Sequence, residues 1–310
     1  MTYSLGFVFP GQGSQSVGML GELAEQHAVI KDTFAEASDA LGYDLWALSQ
    51  NGPEADLNRT DRTQPAILTA SVALWRLWCE QSAARPNFAA GHSLGEYSAL
   101  VAAGVLQFAD AVRLVERRGQ LMQQAVPEGQ GSMAAILGLE DQQIIDLCAA
   151  ASQGEVVSAV NFNAPGQVVI AGQVAAVERA IEGCKAAGAK RALPLPVSVP
   201  SHCALMQPAA EAMEAALGKA AINAPLLPVY ANVLAAPIAD GEEIKARLVE
   251  QVTGRVRWRE SVAAMWDAGV TDFVEVGGKV LGPMVKRIAP DATVRSIVTM
   301  DDIEGALAAF

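Results

Sequence analysis

The chain reads NFAAGHSLGEYSALVAAG from Asn87 to Gly104. A short apolar run ends at Gly91, a serine follows two residues later, and a second apolar run then continues to a glycine. The first run predicts a buried strand, and the second predicts a helix over 94–103 that a glycine ends. Strand, sharp turn and helix in this order are typical of an α/β fold built on a parallel sheet.

The turn itself, Gly91-His92-Ser93-Leu94-Gly95, fits the G-x-S-x-G pattern of a nucleophile elbow. In such an elbow the serine lies on a strained turn, and the flanking glycines let neighbouring backbone approach. The helix that starts at Leu94 presents free N–H groups and a partial positive charge to a developing oxyanion. The alternative is a glycine-flanked helix N-cap without chemistry. The strand before and the helix after favour Ser93 as the nucleophile of an acyl-transfer enzyme.

The middle of the chain predicts a second folding unit. Residues 132–197 contain, in order, a strand, a helix, two strands, a helix and a strand, which is the order of ferredoxin-like folds. Proline-rich segments flank this stretch. We therefore predict a large, hydrolase-like α/β domain with a parallel sheet core, residues 1–126 and 199–310, and an inserted ferredoxin-like small domain, residues 127–198.

Composition excludes several classes of function. The 310 residues include 22 Lys and Arg against 34 Asp and Glu, and the net charge of −12 disfavours nucleic-acid binding. No apolar stretch approaches the roughly 18 residues of a membrane span, and the first residues lack a secretory signal pattern. The four cysteines show no metal-binding spacing. We expect a cytoplasmic protein that binds no metal, membrane or nucleic acid.

A nucleophilic serine needs a base, and the chain has only three histidines. His27 lies among polar residues of a predicted surface helix. His92 adjoins Ser93, so its side chain leaves the turn in another direction, and we interpret it as packing rather than as the base. His202 follows the predicted small domain, where it can face a cleft. His202 is therefore the candidate base, against the alternative of a histidine at a helix start with no role.

A further helix carries an arginine on its apolar face. Asp110 predicts the cap of a helix that continues to about Gln124. The apolar stripe of this helix comprises Ala111, Leu114, Val115, Leu121 and Met122. Arg118 falls on that stripe, where a buried guanidinium is costly unless an anionic group pairs with it. Two interpretations stay open: a clamp for a substrate carboxylate, and a structural salt bridge to an internal Asp or Glu.

Four longer motifs occur along the chain: FPGQGSQ at 9–15, GHSLGEY at 91–97, NFNAPGQ at 161–167 and PVSVPSH at 196–202. Together they resemble the malonyl-CoA:acyl carrier protein transacylase family, over essentially the whole chain. The resemblance implies that a malonyl group passes from malonyl-CoA to the phosphopantetheine thiol of holo acyl carrier protein in fatty acid biosynthesis. Ser93 would be the nucleophile and His202 the base of this ping-pong cycle. It implies no permanently bound cofactor, and we expect a monomer.

The resemblance also implies roles for four further residues. Arg118 matches the arginine that holds the free malonyl carboxylate. Gln12 and Leu94 match the donors of the backbone oxyanion hole. Gln251, seven residues before Trp258, matches the glutamine whose main-chain carbonyl orients the histidine, which takes the place of the Asp of a triad.

The chain departs from the family pattern in two loops. Arg255 replaces the usual proline four residues after the glutamine, and the usual Val-Gly-Pro-Gly-Lys is shortened to Val-Gly-Gly-Lys at 276–279. Both changes concern the loop around Gln251 and the carrier-docking surface. Because this chain and the carriers of the family are both acidic, we expect docking on local cations. The candidates are Lys185, Lys190, Arg191, Lys286 and Arg287.

Two other functions stay open at this point. A serine hydrolase or thioesterase would use the same pair, Ser93 and His202, and the sequence does not show whether water is kept out. An inactive scaffold that binds the carrier protein would need neither residue. The joint presence of Ser93, His202 and Arg118 argues against the scaffold.

Overall fold

The structure is a computed structural model that describes residues 4–197 and 199–310. The predicted insertion ends at Ser198, which lies outside the described residues, as do residues 1–3 of the predicted large domain. The described strands are β1 Leu5–Phe9, β2 Phe88–Gly91, β3 Gly131–Leu137, β4 Val157–Ala164, β5 Gln167–Gln173, β6 Arg191–Pro194, β7 Val229–Ala231, β8 Ala236–Ile238, β9 Asp272–Val276 and β10 Thr293–Ile297.

Helices connect most of these strands. They are α1 Gly21–Gln26, α2 Ala28–Leu41, α3 Leu45–Asn51, α4 Glu54–Leu57, α5 Thr60–Gln81, α6 Gly95–Ala102, α7 Phe108–Ala125, α8 Asp141–Ser152, α9 Val174–Ala186, α10 Gln207–Leu217, α11 Gly241–Thr253, α12 Trp258–Asp267, α13 Leu281–Ile288 and α14 Met300–Leu307. A 3₁₀ turn, Ala204–Met206, precedes α10. None of the helices in the described part of the chain is long and apolar enough to cross a membrane.

The larger sheet has the strand order β10-β9-β1-β2-β7-β8, and all neighbours are parallel except β8, which runs antiparallel to β7. Alternate residues of β1 face opposite sides of this sheet. Phe7 and Phe9 pack with Trp78 of α5, whereas Val8 packs with Val262 of α12. Both faces are therefore covered by helices, as a parallel sheet requires. The predicted α/β fold with a parallel sheet core is confirmed.

The smaller sheet is antiparallel, with the strand order β4-β5-β3-β6. Along the chain its elements run β3-α8-β4-β5-α9-β6, so the ferredoxin-like order expected from the sequence is present. It has its own apolar core, in which Ile136 and Ile170 of the sheet pack with Ile144 of α8 and Val177 of α9. The boundaries at 126/127 and 198/199 stay predictions.

The helix that carries Arg118 begins earlier than the sequence predicts. α7 starts at Phe108 with Gln107 at the N-cap position. Asp110 lies in its first turn, where its carboxylate accepts a hydrogen bond from Arg113. The prediction of Asp110 as the cap was therefore wrong by one turn, because the buried Phe108 extends the apolar face toward the N-terminus.

Candidate active site

Three parallel strands bring the predicted loops together at one edge of the larger sheet. β2 lies between β1 and β7, with Phe9 opposite Gly91 and Ala90 opposite Tyr230. The carboxyl ends of parallel strands meet at the same edge, where sites of α/β folds gather. The glycine loop after β1, the serine turn after β2 and Asn232 after β7 therefore lie side by side.

The turn between β2 and α6 has the geometry of a nucleophile elbow. Ser93 adopts a left-handed φ of 53°, a conformation that costs a non-glycine residue about 1–3 kcal/mol and needs enforcement by its surroundings. A Cβ on Gly95 would lie 2.1 Å from the carbonyl oxygen of Phe9, so only glycine lets α6 start against the end of β1. Asn232 holds the turn: its Oδ1 accepts from the Ser93 N–H at 2.7 Å, and its Nδ2 donates to the Gly91 carbonyl at 2.6 Å.

The serine hydroxyl lies within hydrogen-bond distance of the predicted histidine. Ser93 Oγ is 2.7 Å from His202 Nε2, and His202 Nδ1 is 2.8 Å from the main-chain oxygen of Gln251. A carbonyl oxygen only accepts, so Nδ1 carries the proton and Nε2 accepts from the serine. Gln251 lies in the last turn of α11, where the carbonyls have no partner within the helix.

The environment of His202 keeps its imidazole neutral. Burial, reinforced by the positive charge of Arg118, lowers the pKa of His202 to about 3. A neutral imidazole can take the serine proton at pH 7. The Gln251 carbonyl opposes the shift, and the negative end of the α11 dipole favours the imidazolium once it forms. A helix-end carbonyl thus occupies the position that a carboxylate has in a Ser-His-Asp triad.

Arg118 is buried beside the serine, with 1% of its surface exposed. Its Nη1 donates to Gln64 Oε1 at 2.9 Å, and its Nη2 contacts Gln251 Oε1 at 3.0 Å and Ser93 Oγ at 3.3 Å. Its Nε has no hydrogen-bond partner among the described residues, and no carboxylate of residues 4–197 or 199–310 forms a salt bridge with it. The alternative of a structural salt bridge is therefore wrong: neutral amide oxygens hold this cation.

The buried carboxyl group of Glu96 had no assigned role in the sequence. It lies on α6 with 2% of its surface exposed, and its Oε2 accepts from the Asn232 N–H at 3.0 Å and from Gln251 Nε2 at 2.8 Å. Burial raises its pKa to about 7, although both hydrogen bonds and the charge of Arg118 oppose the shift. The sequence pattern could have indicated Glu96, because it is the one charged residue of a largely apolar helix. For Asn232 the sequence offers only its position directly after a strand.

The second histidine near the elbow pairs with an asparagine and not with the serine hydroxyl. His92 Nε2 lies 2.7 Å from Asn163 Oδ1 at the end of β4, and its ring meets the edge of Trp258 with centroids 5.6 Å apart. Burial lowers the pKa of His92. It therefore joins the elbow to the smaller sheet, in agreement with its interpretation as packing.

A cavity of about 460 Å³ opens above the serine. Its lining includes Gln12, Leu94, Ser93, His202 and Arg118, so the structure brings together all the predicted side chains of the site except Gln251, which lies behind His202. Within the described part of the chain, the backbone N–H groups of Gln12 and Leu94 donate to no protein acceptor. Both are therefore available to an oxyanion, and that role stays a prediction.

Residues 6–282 match the acyl transferase domain family. The chain belongs to this family. It is 59% identical over 292 residues to the malonyl CoA-acyl carrier protein transacylase of Escherichia coli K12, covering 94% of each chain.

Solved structures agree with this family assignment. A crystal structure of an acyl carrier protein S-malonyltransferase from Vibrio cholerae is 57% identical, with a TM-score of 0.96 over 98% of this chain and 99% of that one. A malonyl-transacylase in complex with a type II PKS acyl-carrier protein is 52% identical, with a TM-score of 0.98 over 99% of this chain and 100% of that one.

One of the two departures from the acyl transferase pattern lies beside the smaller sheet. The guanidinium carbon of Arg255 lies 5.3 Å from the centre of the Phe162 ring. Val256 donates to the Val160 carbonyl at 2.8 Å and accepts from the Phe162 N–H at 2.9 Å. The loop after Gln251 is therefore tied to β4 by backbone hydrogen bonds.

The shortened glycine loop of this acyl transferase lies at the start of α13. A Cβ on Gly278 would lie 2.7 Å from a carboxylate oxygen of Glu275, which is fully buried at the end of β9. That carboxylate accepts from the N–H groups of Val280, Leu281 and Gly282 at 2.8–2.9 Å. The loop is compact because the first turn of α13 closes over this acid.

The cations predicted for carrier docking differ in how they are engaged. Lys185 forms a salt bridge with a glutamate of its own helix. Lys286 donates to carbonyl oxygens of the loop after α13, and Arg287 donates to oxygens at the turn between β4 and β5. Lys190 and Arg191 form no salt bridge among the described residues. Docking on any of them stays a prediction. No cluster of three or more His, Cys, Asp or Glu in the described chain could hold a metal ion.

Proposed function

We propose that this protein is an acyltransferase that moves a malonyl group from malonyl-CoA to the phosphopantetheine thiol of holo acyl carrier protein through a malonyl-serine intermediate. Relatives named for malonyl CoA-acyl carrier protein transacylation match almost the whole chain, and one structural neighbour is in complex with an acyl-carrier protein. We place the reaction in fatty acid biosynthesis in the cytoplasm. We expect a monomer without a permanently bound cofactor.

One observation supports the malonyl group above others: a buried cation lies beside the nucleophile without a carboxylate partner. Arg118 Nη2 is 3.3 Å from Ser93 Oγ. A malonyl ester of Ser93 carries its free carboxylate one methylene beyond the ester carbonyl, within reach of this guanidinium. Charge-assisted hydrogen bonds of this kind are among the strongest in proteins. An acetyl group has no anion and would leave Arg118 unpaired.

In the first half-reaction, Ser93 Oγ attacks the thioester carbonyl of malonyl-CoA while His202 Nε2 takes the hydroxyl proton. The backbone N–H groups of Gln12 and Leu94 stabilise the oxyanion of the tetrahedral intermediate. The Gln251 carbonyl holds the imidazolium through Nδ1. The C–S bond then breaks, the CoA sulfur takes the proton from Nε2, and the malonyl group remains as an ester on Ser93.

The second half-reaction runs the same steps from the other thiol. The phosphopantetheine thiol gives its proton to His202 Nε2 and its sulfur attacks the ester carbonyl. The same N–H groups stabilise the second oxyanion. The C–O bond to Ser93 breaks, the serine oxygen recovers the proton, and malonyl-carrier leaves. Because CoA leaves and a malonyl-serine intermediate remains before the carrier thiol reacts, the kinetics are expected to be ping-pong.

Intact-mass measurement tests this proposal directly. Wild-type protein incubated with malonyl-CoA should gain one malonyl group, and Ser93→Ala should gain none because it lacks the nucleophile. Holo carrier protein should discharge the adduct, whereas apo carrier, which has no phosphopantetheine thiol, should leave it intact. Release of free malonate without carrier would indicate a hydrolase. Neither adduct nor turnover would indicate a binding scaffold.

A further inference from the structure

Glu96 is a buried titratable group beside the site that neither half-reaction uses. It is the second residue of α6, three positions after the nucleophile, and its side chain turns inward under the elbow rather than into the cavity. Burying a carboxyl group is unfavourable unless its oxygens accept hydrogen bonds. One oxygen, Oε2, accepts two, from the Asn232 backbone N–H and from the Gln251 side-chain amide.

The two groups that Glu96 holds are the ones that hold the reacting residues. Gln251 Nε2 also donates to the Ser93 carbonyl at 3.0 Å, its Oε1 accepts from Arg118 Nη2, and its main-chain oxygen accepts from His202 Nδ1. Asn232 Oδ1 accepts from the Ser93 N–H. One carboxyl oxygen of Glu96 therefore bonds directly to both Gln251 and Asn232, the two residues that hold Ser93 and His202 in place.

We propose that Glu96 is a positioning residue, whose carboxyl oxygen sets the Gln251 side chain and the Asn232 backbone and thereby places Ser93, His202 and Arg118 for malonyl transfer. The inference rests on the proposed function. Its physical basis is that donors bonded to a shared acceptor lose rotational freedom together. Misplacement of reacting groups by about 1 Å can cost roughly 100-fold in rate.

The role requires an acceptor at this point and does not require a negative charge. Glu96→Gln keeps an oxygen at the same distance from the backbone, so it can still accept from Asn232 and Gln251. Glu96→Ala leaves both donors without a partner in a buried place, where unmade hydrogen bonds are costly. The pair of variants therefore separates acceptor geometry from charge.

The experiment measures the single-turnover rate of Ser93 malonylation by rapid quench and intact mass, with steady-state kcat and KM alongside. Glu96→Ala should lower the acylation rate and kcat by roughly 10- to 100-fold, and Glu96→Gln should keep most of the wild-type rate. Glu275→Ala is the matched control, since Glu275 is equally buried and accepts backbone N–H groups but lies at the end of β9, where it bonds the start of α13. It should lower stability and leave the acylation rate of the folded protein unchanged.

A second comparison tests the route through the glutamine. Gln251→Leu keeps the main-chain carbonyl that His202 uses and removes only the side-chain hydrogen bonds. In that background Glu96→Ala should cost much less than in wild type, because coupled residues are not additive. Equal losses in the two backgrounds, an unchanged rate in Glu96→Ala, or a loss in Glu96→Gln as large as in Glu96→Ala would each overturn the proposal.

A readout without an acyl donor separates this inference from the proposed function. NMR of the His202 imidazole reports its hydrogen bond to Gln251 directly. Glu96→Ala should shift the Nδ1–H signal, and Glu96→Gln should leave it near the wild-type position. If wild type forms no malonyl-serine but this pattern holds, the proposed function fails and the positioning role stands. If wild type is malonylated but Glu96→Ala leaves the Nδ1–H signal at its wild-type position, the positioning role fails and the proposed function stands.

Discussion

The two walls of the cavity are built in different ways. The wall that carries Ser93 comes from one continuous stretch, in which β2, the elbow and α6 follow each other directly. The facing wall includes residues of α7 and of the segment before α10, and the Ser93–His202 hydrogen bond joins residues 109 positions apart. The strained turn at Ser93 is thus a property of local chain geometry. The contacts of Ser93 with His202 and Arg118 exist only where distant elements pack.

From this difference we expect the facing wall to set the rate of acyl transfer and the choice of acyl group. Ser93 is strained and exposed to the cavity whichever acyl group arrives. His202 Nε2 and Arg118 Nη2 both lie within hydrogen-bond distance of Ser93 Oγ, and in the proposed function they supply the proton transfer and the charge. Changes to the facing wall should therefore alter rate and specificity while the elbow keeps its shape.

The largest effect is expected at the histidine. His202→Ala removes the only imidazole that contacts the Ser93 hydroxyl in the described structure, so the rate of serine malonylation should fall by roughly 10²–10⁴-fold. His92→Ala is the control from the elbow wall, and it should cost much less because the His92 ring bonds Asn163. Rapid-quench acylation rates measure both. A greater loss in His92→Ala than in His202→Ala would reverse the assignment of the base.

A smaller and selective effect is expected at the arginine. Arg118→Ala should lower kcat/KM for malonyl-CoA. The corresponding activation free energy should rise by about 1.5–3 kcal/mol, as for the loss of a charge-assisted hydrogen bond. Transfer of acetyl from acetyl-CoA should hold or rise, since acetyl has no carboxylate. Arg117→Ala, the exposed neighbour on the same helix, is the control and should change neither. Equal losses for the two acyl groups would contradict the carboxylate clamp.

The smallest effect concerns stability and its dependence on pH. The pKa of Glu96 is raised from 4.5 to about 7 by burial, so between these values the folded protein retains a proton that the unfolded chain releases. The contribution of Glu96 to wild-type stability should therefore fall as pH rises through this window. Glu96→Gln lacks this titration. Its stability relative to wild type should increase from about pH 4.5 to about pH 7 and then level off.

Urea unfolding of the two proteins across this pH range measures the effect, and their difference cancels titrations that they share, including that of His202. A difference that stays flat with pH would show that Glu96 keeps an ordinary pKa in the folded protein. That outcome would place water beside the carboxyl group at the base of the elbow.

Much of the fold and part of the site could be predicted because the signals are local. The strand before Gly91 and the helix after Leu94 follow from apolar runs and glycines, and the ferredoxin-like order follows from the sequence of short periodic segments. The burial of Arg118 follows from helical spacing within α7 alone. Each individual strand or helix among these depends on residues of its own segment and the adjoining turns, so the neighbouring chain is sufficient to specify it.

Only the tertiary structure decided which groups hydrogen-bond to the buried polar side chains of the site. Whether Arg118 paired with an acid was open in the sequence, and packing places the amides of Gln64 and Gln251 around it instead. The sequence left open whether His202 has a role, and it gave no role to Glu96. Both residues are placed at the site by hydrogen bonds that join positions more than a hundred residues apart. Such bonds leave no periodicity in the chain, because each forms only after separate helices and strands have found one another.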